Sequence, residues 1–121
     1  MSKSILIVDD SATMRQQLRG FLENNGFDVI EATDGTEGLE LCRVNDIDLM
    51  IVDINMERMN GIEMITEVRK LPRHTDTPIL VLTTESSSST MTEARSVGAS
   101  AWIVKPFKPD ILLRGIKKMT S

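Results

Sequence analysis

The stretch that decides the fold is SILIVDDSATMRQQL, residues 4–18, in which an apolar run meets two adjacent aspartates. Isoleucine, leucine and valine dominate the run before Asp9 and Asp10, as expected for a short buried strand. After the aspartates, Met14 and Leu18 begin one apolar face of a predicted helix. Neighbouring carboxylates repel each other unless a cation lies among them, so this strand end predicts a functional site.

The same alternation of apolar run and amphipathic segment recurs along the 121-residue chain. The predicted strands are 4–9, 27–32, 47–53, 78–83 and 101–104. Nearly continuous apolar runs such as DLMIVD (48–53) are typical of parallel strands that are covered on both faces. Five such βα units predict an α/β fold, a doubly wound five-stranded parallel sheet with helices on both sides.

Composition narrows the functional classes. A net charge of −4 argues against nucleic-acid binding, and no apolar segment is long enough to predict a membrane span. The single cysteine, Cys42, cannot form an internal disulfide, which favours a reducing cytoplasm. The length predicts one domain over residues 1–121.

We expect the run ESSSST, residues 85–90, to form a flexible loop, and His74 to be a solvated loop residue.

Polar residues lie at the ends of all five predicted strands. They are Asp9 and Asp10 at the first, Thr33 and Asp34 at the second, Asp53 at the third, Thr83 at the fourth and Lys105 after the fifth. Without the second strand, the set consists of three carboxylates, a hydroxyl and one ammonium group. In doubly wound folds, ligands bind beyond the carboxyl ends of the strands. Three carboxylates can hold Mg²⁺, a hard cation that prefers oxygen ligands, and an aspartate can act as a nucleophile toward phosphorus. Asp53, on the central strand, is the natural phosphoryl acceptor.

This ordered set (DD, then D, T and KP at successive strand ends) resembles the receiver domain of two-component response regulators. The chemotaxis (CheY-like) type is the most similar, and the resemblance covers essentially the whole chain. It implies a (βα)5 flavodoxin-like fold with strand order 2-1-3-4-5. It also implies a single receiver domain without an output domain, and a monomer.

The resemblance also implies roles for the site residues. Asp53 corresponds to the phosphoacceptor, and Asp9 and Asp10 to the acidic metal site for Mg²⁺, with Mn²⁺ as an alternative ion. Asn55 corresponds to the residue whose backbone carbonyl completes the metal site, and Lys105 to the lysine that binds the phosphoryl group.

Further positions match residues that carry the signal or set its lifetime. By resemblance, Thr83 is the switch hydroxyl and Trp102 the aromatic switch residue, while Asn55 and Glu85 tune dephosphorylation. The bond between Lys105 and Pro106 is expected to be cis. For Trp102, a simple packing role is the alternative reading.

The chain departs from the family pattern at two positions. Glu57 stands where a proline is usual, which removes a backbone restraint and adds a carboxylate; we expect an effect on metal affinity or on the loop's resting conformation. Trp102 stands where tyrosine is commoner, and an indole only donates hydrogen bonds.

The function implied is a phosphorylated signalling switch and not an enzyme with a separate substrate. A sensor histidine kinase would supply the phosphoryl group, and the surface of the fourth helix, fifth strand and fifth helix would signal to a partner such as a flagellar motor switch. A phosphatase would be a further partner. A phosphorelay intermediate and a phosphate sink remain alternatives. A Mg²⁺-dependent phosphohydrolase is disfavoured by Asn55, where such enzymes carry an acid, and a flavin carrier by the lack of a glycine-rich first loop.

Overall fold

The computed structural model describes residues 2–56 and 58–121, so Met1 and Glu57 lie outside the described residues. Strands and helices alternate from end to end: β1 (Ser4–Val8), α1 (Ala12–Asn24), β2 (Asp28–Ala32), α2 (Gly35–Val44), β3 (Leu49–Val52), α3 (Gly61–Val68), β4 (Ile79–Thr83), α4 (Ser88–Val97), β5 (Ala101–Val104) and α5 (Pro109–Thr120). A short 3₁₀ helix, Pro72–His74, lies between α3 and β4. The predicted strands are confirmed, although several extend a residue or two beyond the observed ends.

The strands form one parallel sheet in the order β2-β1-β3-β4-β5, as expected. Val8 pairs with both Ala32 and Val52, and Thr83 at the end of β4 pairs with Val104 at the end of β5. Because parallel strands in this register end at the same edge of the sheet, the polar residues that follow them converge there. The doubly wound α/β prediction is therefore confirmed.

The two faces of the sheet bury two separate apolar layers. Along β1, Ile5 and Ile7 pack with buried residues of α1 and α5, whereas Leu6 and Val8 pack with those of α2 and α3. This alternation follows from the two-residue period of a strand. The apolar face predicted for the first helix is confirmed, since Leu18 is fully buried against the sheet.

The segment 85–90 is only partly the loop that composition predicted. Residues 88–90 form the first turn of α4, and the Ser87 side chain accepts a hydrogen bond from the Thr90 backbone N–H at 3.2 Å. Serine is a favourable N-cap residue, so the serine run starts a helix. The Lys105–Pro106 bond is cis, as expected.

His74 is not a solvated loop residue, which corrects the sequence prediction. Its side chain is buried, with the residue 1% exposed. Nδ1 lies 2.9 Å from Thr77 Oγ1, and Nε2 lies 3.0 Å from the Cys42 carbonyl oxygen and 3.2 Å from that of Asn45. These bonds satisfy the buried imidazole and tie the segment before β4 to the end of α2.

Over the part of the chain that the structure describes, no helix is long and apolar enough to cross a membrane.

Candidate active site at the carboxyl edge of the sheet

Three carboxylates meet at the carboxyl edge of the sheet. Asp9 and Asp10 follow β1 and Asp53 follows β3, and one oxygen from each lies within 4.8 Å of the others. Asp9 and Asp53 are buried, whereas Asp10 is exposed. The site is therefore open to solvent on the Asp10 side and closed by protein on the other.

Lys105 neutralises the two buried members of this group. Its Nζ donates to Asp9 Oδ2 at 2.8 Å and to Asp53 Oδ2 at 3.0 Å, and its side chain is 12% exposed. Burial opposes the ammonium charge, but the hydrogen bonds to the two carboxylates more than offset it and hold the pKa of Lys105 above its ordinary value. One cation thus joins the ends of β1, β3 and β5.

Backbone amides orient the remaining carboxylate oxygens. Asp9 Oδ1 accepts a hydrogen bond from the Ser11 N–H at 2.9 Å, and Asp53 Oδ1 accepts one from the Asn55 N–H at 3.1 Å. Each buried carboxylate is therefore held at both oxygens, one by an amide and one by the ammonium group. Such fixed groups reduce the reorganisation that a reaction at Asp53 would need.

Thr83 lies at the end of β4, next to this group. It is fully buried, and its Oγ1 accepts a hydrogen bond from the Glu85 N–H at 3.2 Å. The Lys105 N–H donates to the Thr83 carbonyl oxygen at 2.8 Å. A backbone hydrogen bond therefore joins Thr83 at the end of β4 to Lys105, the residue that directly follows β5.

Trp102 lies on β5, three residues before Lys105, and is half-buried. Its ring packs against the core layer that contains α2 and α3, and it lines a small pocket with Met91 and Arg95 of α4. The indole Nε1 is buried and has no hydrogen-bond partner among the described residues. A packing role is evident, and a switch role for Trp102 stays a prediction.

The structure adds Asp34 and Arg58 to the set found from sequence. Arg58 Nε donates to Asp34 Oδ2 at 2.9 Å, and both residues line an open cleft with Asp10. The hydrogen bond from the Glu37 backbone N–H and the ion pair with Arg58 hold the pKa of Asp34 below its usual range, against desolvation. The sequence places Asp34 at the end of the second strand, but no local signal indicates its pairing with Arg58.

The donor set fits a hard divalent cation. Three carboxylates supply only oxygen, within a few ångströms, in an arrangement that is partly open to solvent. Mg²⁺ typically takes one or two carboxylates, keeps several waters and accepts phosphate oxygens. Sulfur and imidazole ligands, which would favour zinc, are not part of this cluster.

Residues 5–117 match the family model described as the response regulator receiver domain. The chain belongs to this family. It is 40% identical over 110 residues to a chemotaxis protein CheY homolog of Campylobacter jejuni, covering 89% of this chain and 85% of that protein. Chemotaxis protein CheY1 of Helicobacter pylori is 39% identical, with 89% of each chain covered.

The fold comparison agrees with the sequence comparison. The crystal structure of chemotaxis protein CheY4 of Vibrio cholerae matches with a TM-score of 0.94 and 39% identity, covering 98% of this chain and 99% of that chain. This receiver domain is thus a CheY-like chemotaxis response regulator, a signalling switch in a two-component system. Regulators of this kind take a phosphoryl group from a histidine kinase and act on downstream targets.

Proposed function

We propose that Asp53 is the phosphoacceptor of this response regulator and that its phosphorylation depends on Mg²⁺. The observation that supports this most strongly is the Lys105 bridge between Asp9 and Asp53, with Asp10 completing a three-carboxylate cluster. Asp9, Asp10, Asp53 and the backbone carbonyl of Asn55 would hold the ion, and Mn²⁺ is an alternative. When bound, the ion neutralises phosphoryl oxygens during transfer.

In the proposed transfer Asp53 is the nucleophile and Lys105 pairs with the transferred group. A carboxylate oxygen of Asp53 attacks phosphorus and forms a P–O bond, while the bond between phosphorus and the donor's imidazole nitrogen breaks. The electron pair of the broken bond stays on that nitrogen, and the histidine remains part of the kinase. Lys105 already contacts the acceptor carboxylate, so its ammonium group is placed to pair with a phosphoryl oxygen on the product. The protein thereby catalyses its own phosphorylation and, by positioning water, its own dephosphorylation. Asn55 and Glu85 tune the latter step.

Phosphorylation would then shift the equilibrium between two conformations. The buried Thr83 hydroxyl is the proposed sensor, and Trp102 on β5 links it to the surface formed by α4, β5 and α5. A change from mostly inactive to mostly active needs about 5.5 kcal/mol of differential stabilisation. New contacts of one phosphoryl group with a hydroxyl, an ammonium group and a cation are a sufficient source.

Several narrower predictions accompany this function. The phosphodonor would be a chemotaxis sensor kinase, the target a flagellar motor switch, and a phosphatase a further partner. A phosphorelay intermediate or a phosphate sink remains an alternative output. We further propose that residues 1–121 act as one receiver unit, as a monomer and in the cytoplasm.

Fluorescence of Trp102, the only tryptophan, tests the proposal. The protein is titrated with acetyl phosphate in the presence and absence of Mg²⁺, in parallel with Asp53→Asn and Thr83→Ala. We expect a Mg²⁺-dependent change that Asp53→Asn abolishes and Thr83→Ala reduces. The same change in Asp53→Asn would overturn the acceptor assignment. Steady Mg²⁺-dependent hydrolysis of simple phosphate esters would support a phosphohydrolase instead.

A separate proposal concerns Glu57, since the family usually has proline at this position. We propose that Glu57 alters Mg²⁺ affinity or the resting conformation of the loop after β3. Mg²⁺ titrations of the wild type and Glu57→Pro test this. Equal affinity and equal phosphorylation rates would contradict it.

A further inference from the structure

The loop between β3 and α3 is attached to the start of α2 by contacts that the phosphorylation scheme does not use. We call residues 53–56 and 58–60 the acceptor loop, because it begins with Asp53. Within it, Arg58 Nε and Nη2 lie 2.9 and 2.8 Å from Asp34 Oδ2. The Arg58 side chain is 72% exposed, whereas that of Asp34 is only 11% exposed, so the anchor point is the buried partner.

Asp34 is itself rigidly held. It is the N-cap of α2, and its Oδ1 accepts a hydrogen bond from the Glu37 N–H at 2.9 Å. One carboxylate oxygen of Asp34 therefore accepts a hydrogen bond from the backbone of α2, and the other binds Arg58. Because an N-cap side chain is fixed by the helix it begins, Asp34 gives the acceptor loop a fixed point on α2.

Backbone contacts bring the two segments still closer. The Gly35 N–H donates to the Arg58 carbonyl oxygen at 3.2 Å. A side chain at Gly35 would collide with the carbonyl oxygen of Met59, which itself has a positive φ of 49°. Positive φ is uncommon outside glycine and persists where surrounding contacts determine it. The acceptor loop is thus shaped around the start of α2.

The other end of this loop reaches the reacting carboxylate. The Asn55 N–H donates to Asp53 Oδ1, and the Gly61 N–H donates to the Ile54 carbonyl oxygen at 3.1 Å. Asn55 is also the residue whose carbonyl we propose as a metal ligand. A displacement of the loop at Arg58 would therefore change the position of that carbonyl relative to Asp53.

We propose that the pair of Arg58 and Asp34 is a positioning clamp that holds the acceptor loop for metal binding. The inference rests on the proposed function, because it concerns the same Mg²⁺ site. Neither residue touches the reacting atoms in this scheme, so both are positioning residues. Their effect is exerted through the backbone carbonyl of Asn55.

The direction of the change in Mg²⁺ affinity on replacing Arg58 distinguishes a positioning role of this residue from a purely electrostatic one. Arg58 lines the same cleft as Asp10, so its positive charge by itself opposes cation binding there. If charge alone mattered, Arg58→Gln would bind Mg²⁺ more tightly, and Arg58→Lys would match the wild type. If the clamp positions the loop, Arg58→Gln binds more weakly despite the lost repulsion. Arg58→Lys then falls between, because lysine keeps the charge but not the two-nitrogen contact.

The experiment is a Mg²⁺ titration by isothermal calorimetry of the wild type, Arg58→Gln, Arg58→Lys and Asp10→Asn. Arg43→Gln is the matched control, because Arg43 also pairs with one carboxylate, that of Glu40, but on the outer surface of α2. Urea denaturation confirms that each variant is folded. We expect about tenfold weaker binding for Arg58→Gln, as is usual when a group that orients metal ligands is lost, and no change for Arg43→Gln.

The possible outcomes distinguish the two proposals. Weaker binding in Asp10→Asn with unchanged or tighter binding in Arg58→Gln would overturn the clamp and leave the metal site intact. Unchanged binding in Asp10→Asn would overturn the metal site and, with it, the role of the clamp. A second measurement needs no metal: amide hydrogen exchange at Asn55 should be faster in metal-free Arg58→Gln than in the wild type. Equal exchange rates there would also contradict the clamp.

Discussion

Replacing Lys105 with methionine should destabilise the metal-free protein and make it more dependent on Mg²⁺. The ammonium group lies 2.8 and 3.0 Å from two carboxylates whose side chains are 4% and 10% exposed. At an effective dielectric constant near 20, each contact carries about 6 kcal/mol of Coulomb attraction, most of which offsets desolvation. Removing one partner of a buried pair leaves an uncompensated charge and typically costs 3–5 kcal/mol.

We expect a loss of about 3 kcal/mol for Lys105→Met in EDTA, the lower end of that range, because the cleft opens to solvent at Asp10. For 121 residues this corresponds to a decrease in Tm of about 10 °C. Saturating Mg²⁺ should restore part of the loss, since a cation can neutralise the same carboxylates without competing with lysine. The increase in stability on adding Mg²⁺ should therefore be larger in the variant than in the wild type.

Urea denaturation with Mg²⁺ and with EDTA measures both quantities. Lys70→Met is the matched control, because Lys70 contacts a single carboxylate, that of Glu67, at 2.9 Å and is 67% exposed. An exposed pair of this kind contributes less than about 1 kcal/mol, and its loss should not alter the effect of Mg²⁺. An equal Mg²⁺ increment in Lys105→Met and the wild type would refute the view that lysine and metal neutralise the same carboxylates.

Three further predictions concern other parts of the molecule. Gly20→Ala should raise the free energy of unfolding by about 1 kcal/mol, because a Cβ there meets nothing within 4 Å and alanine favours helix. Gly35→Ala should lower the free energy of unfolding by about 2 kcal/mol, because the added Cβ collides with Met59. Urea denaturation measures both changes. The Cys42 thiol is buried, and desolvation raises its pKa to about 12. It should therefore not react with Ellman's reagent at pH 8 until urea unfolds the chain. If the folded protein reacted as fast as an exposed thiol, the burial of Cys42 would be contradicted. The pKa of Asp34 is lowered, so its ionised form stabilises the fold at pH values above the ordinary pKa of 3.8, and this contribution is lost as pH falls through the folded-state pKa. The difference in the free energy of unfolding between wild type and Asp34→Asn should therefore shrink below about pH 4. A difference that grows there would contradict this prediction.

The strand order was predicted from the family resemblance, but the doubly wound sheet and the centre of the candidate site could be predicted from the residues for one physical reason. Parallel strands bring their carboxyl ends to a common edge, so residues distant in sequence become neighbours once the strands are identified. Asp9, Asp53 and Lys105 each directly follow an observed strand, and the Lys105 ammonium group lies within 3.0 Å of both carboxylates. The apolar runs that identified those strands are short, nearly continuous and bounded by polar residues, which is the pattern of parallel strands covered on both faces.

Pairings that depend on loop conformation could not be predicted in the same way. The sequence predicts a solvated His74, but its buried imidazole contacts the carbonyl oxygens of Cys42 and Asn45, and contacts with backbone groups cannot be predicted from residue types. Arg58 reaches Asp34 from a loop whose path depends on a positive φ at Met59. Neither contact follows from periodicity or from the order of the strands.

The most direct test of the central claim is the intact mass of the protein after incubation with acetyl phosphate and Mg²⁺. Asp53→Asn and a sample in EDTA serve as controls. We expect the added mass of one phosphoryl group in the wild type, none in Asp53→Asn and none without metal. The same added mass in Asp53→Asn, or full modification in EDTA, would contradict the claim that Asp53 accepts the phosphoryl group in a Mg²⁺-dependent reaction.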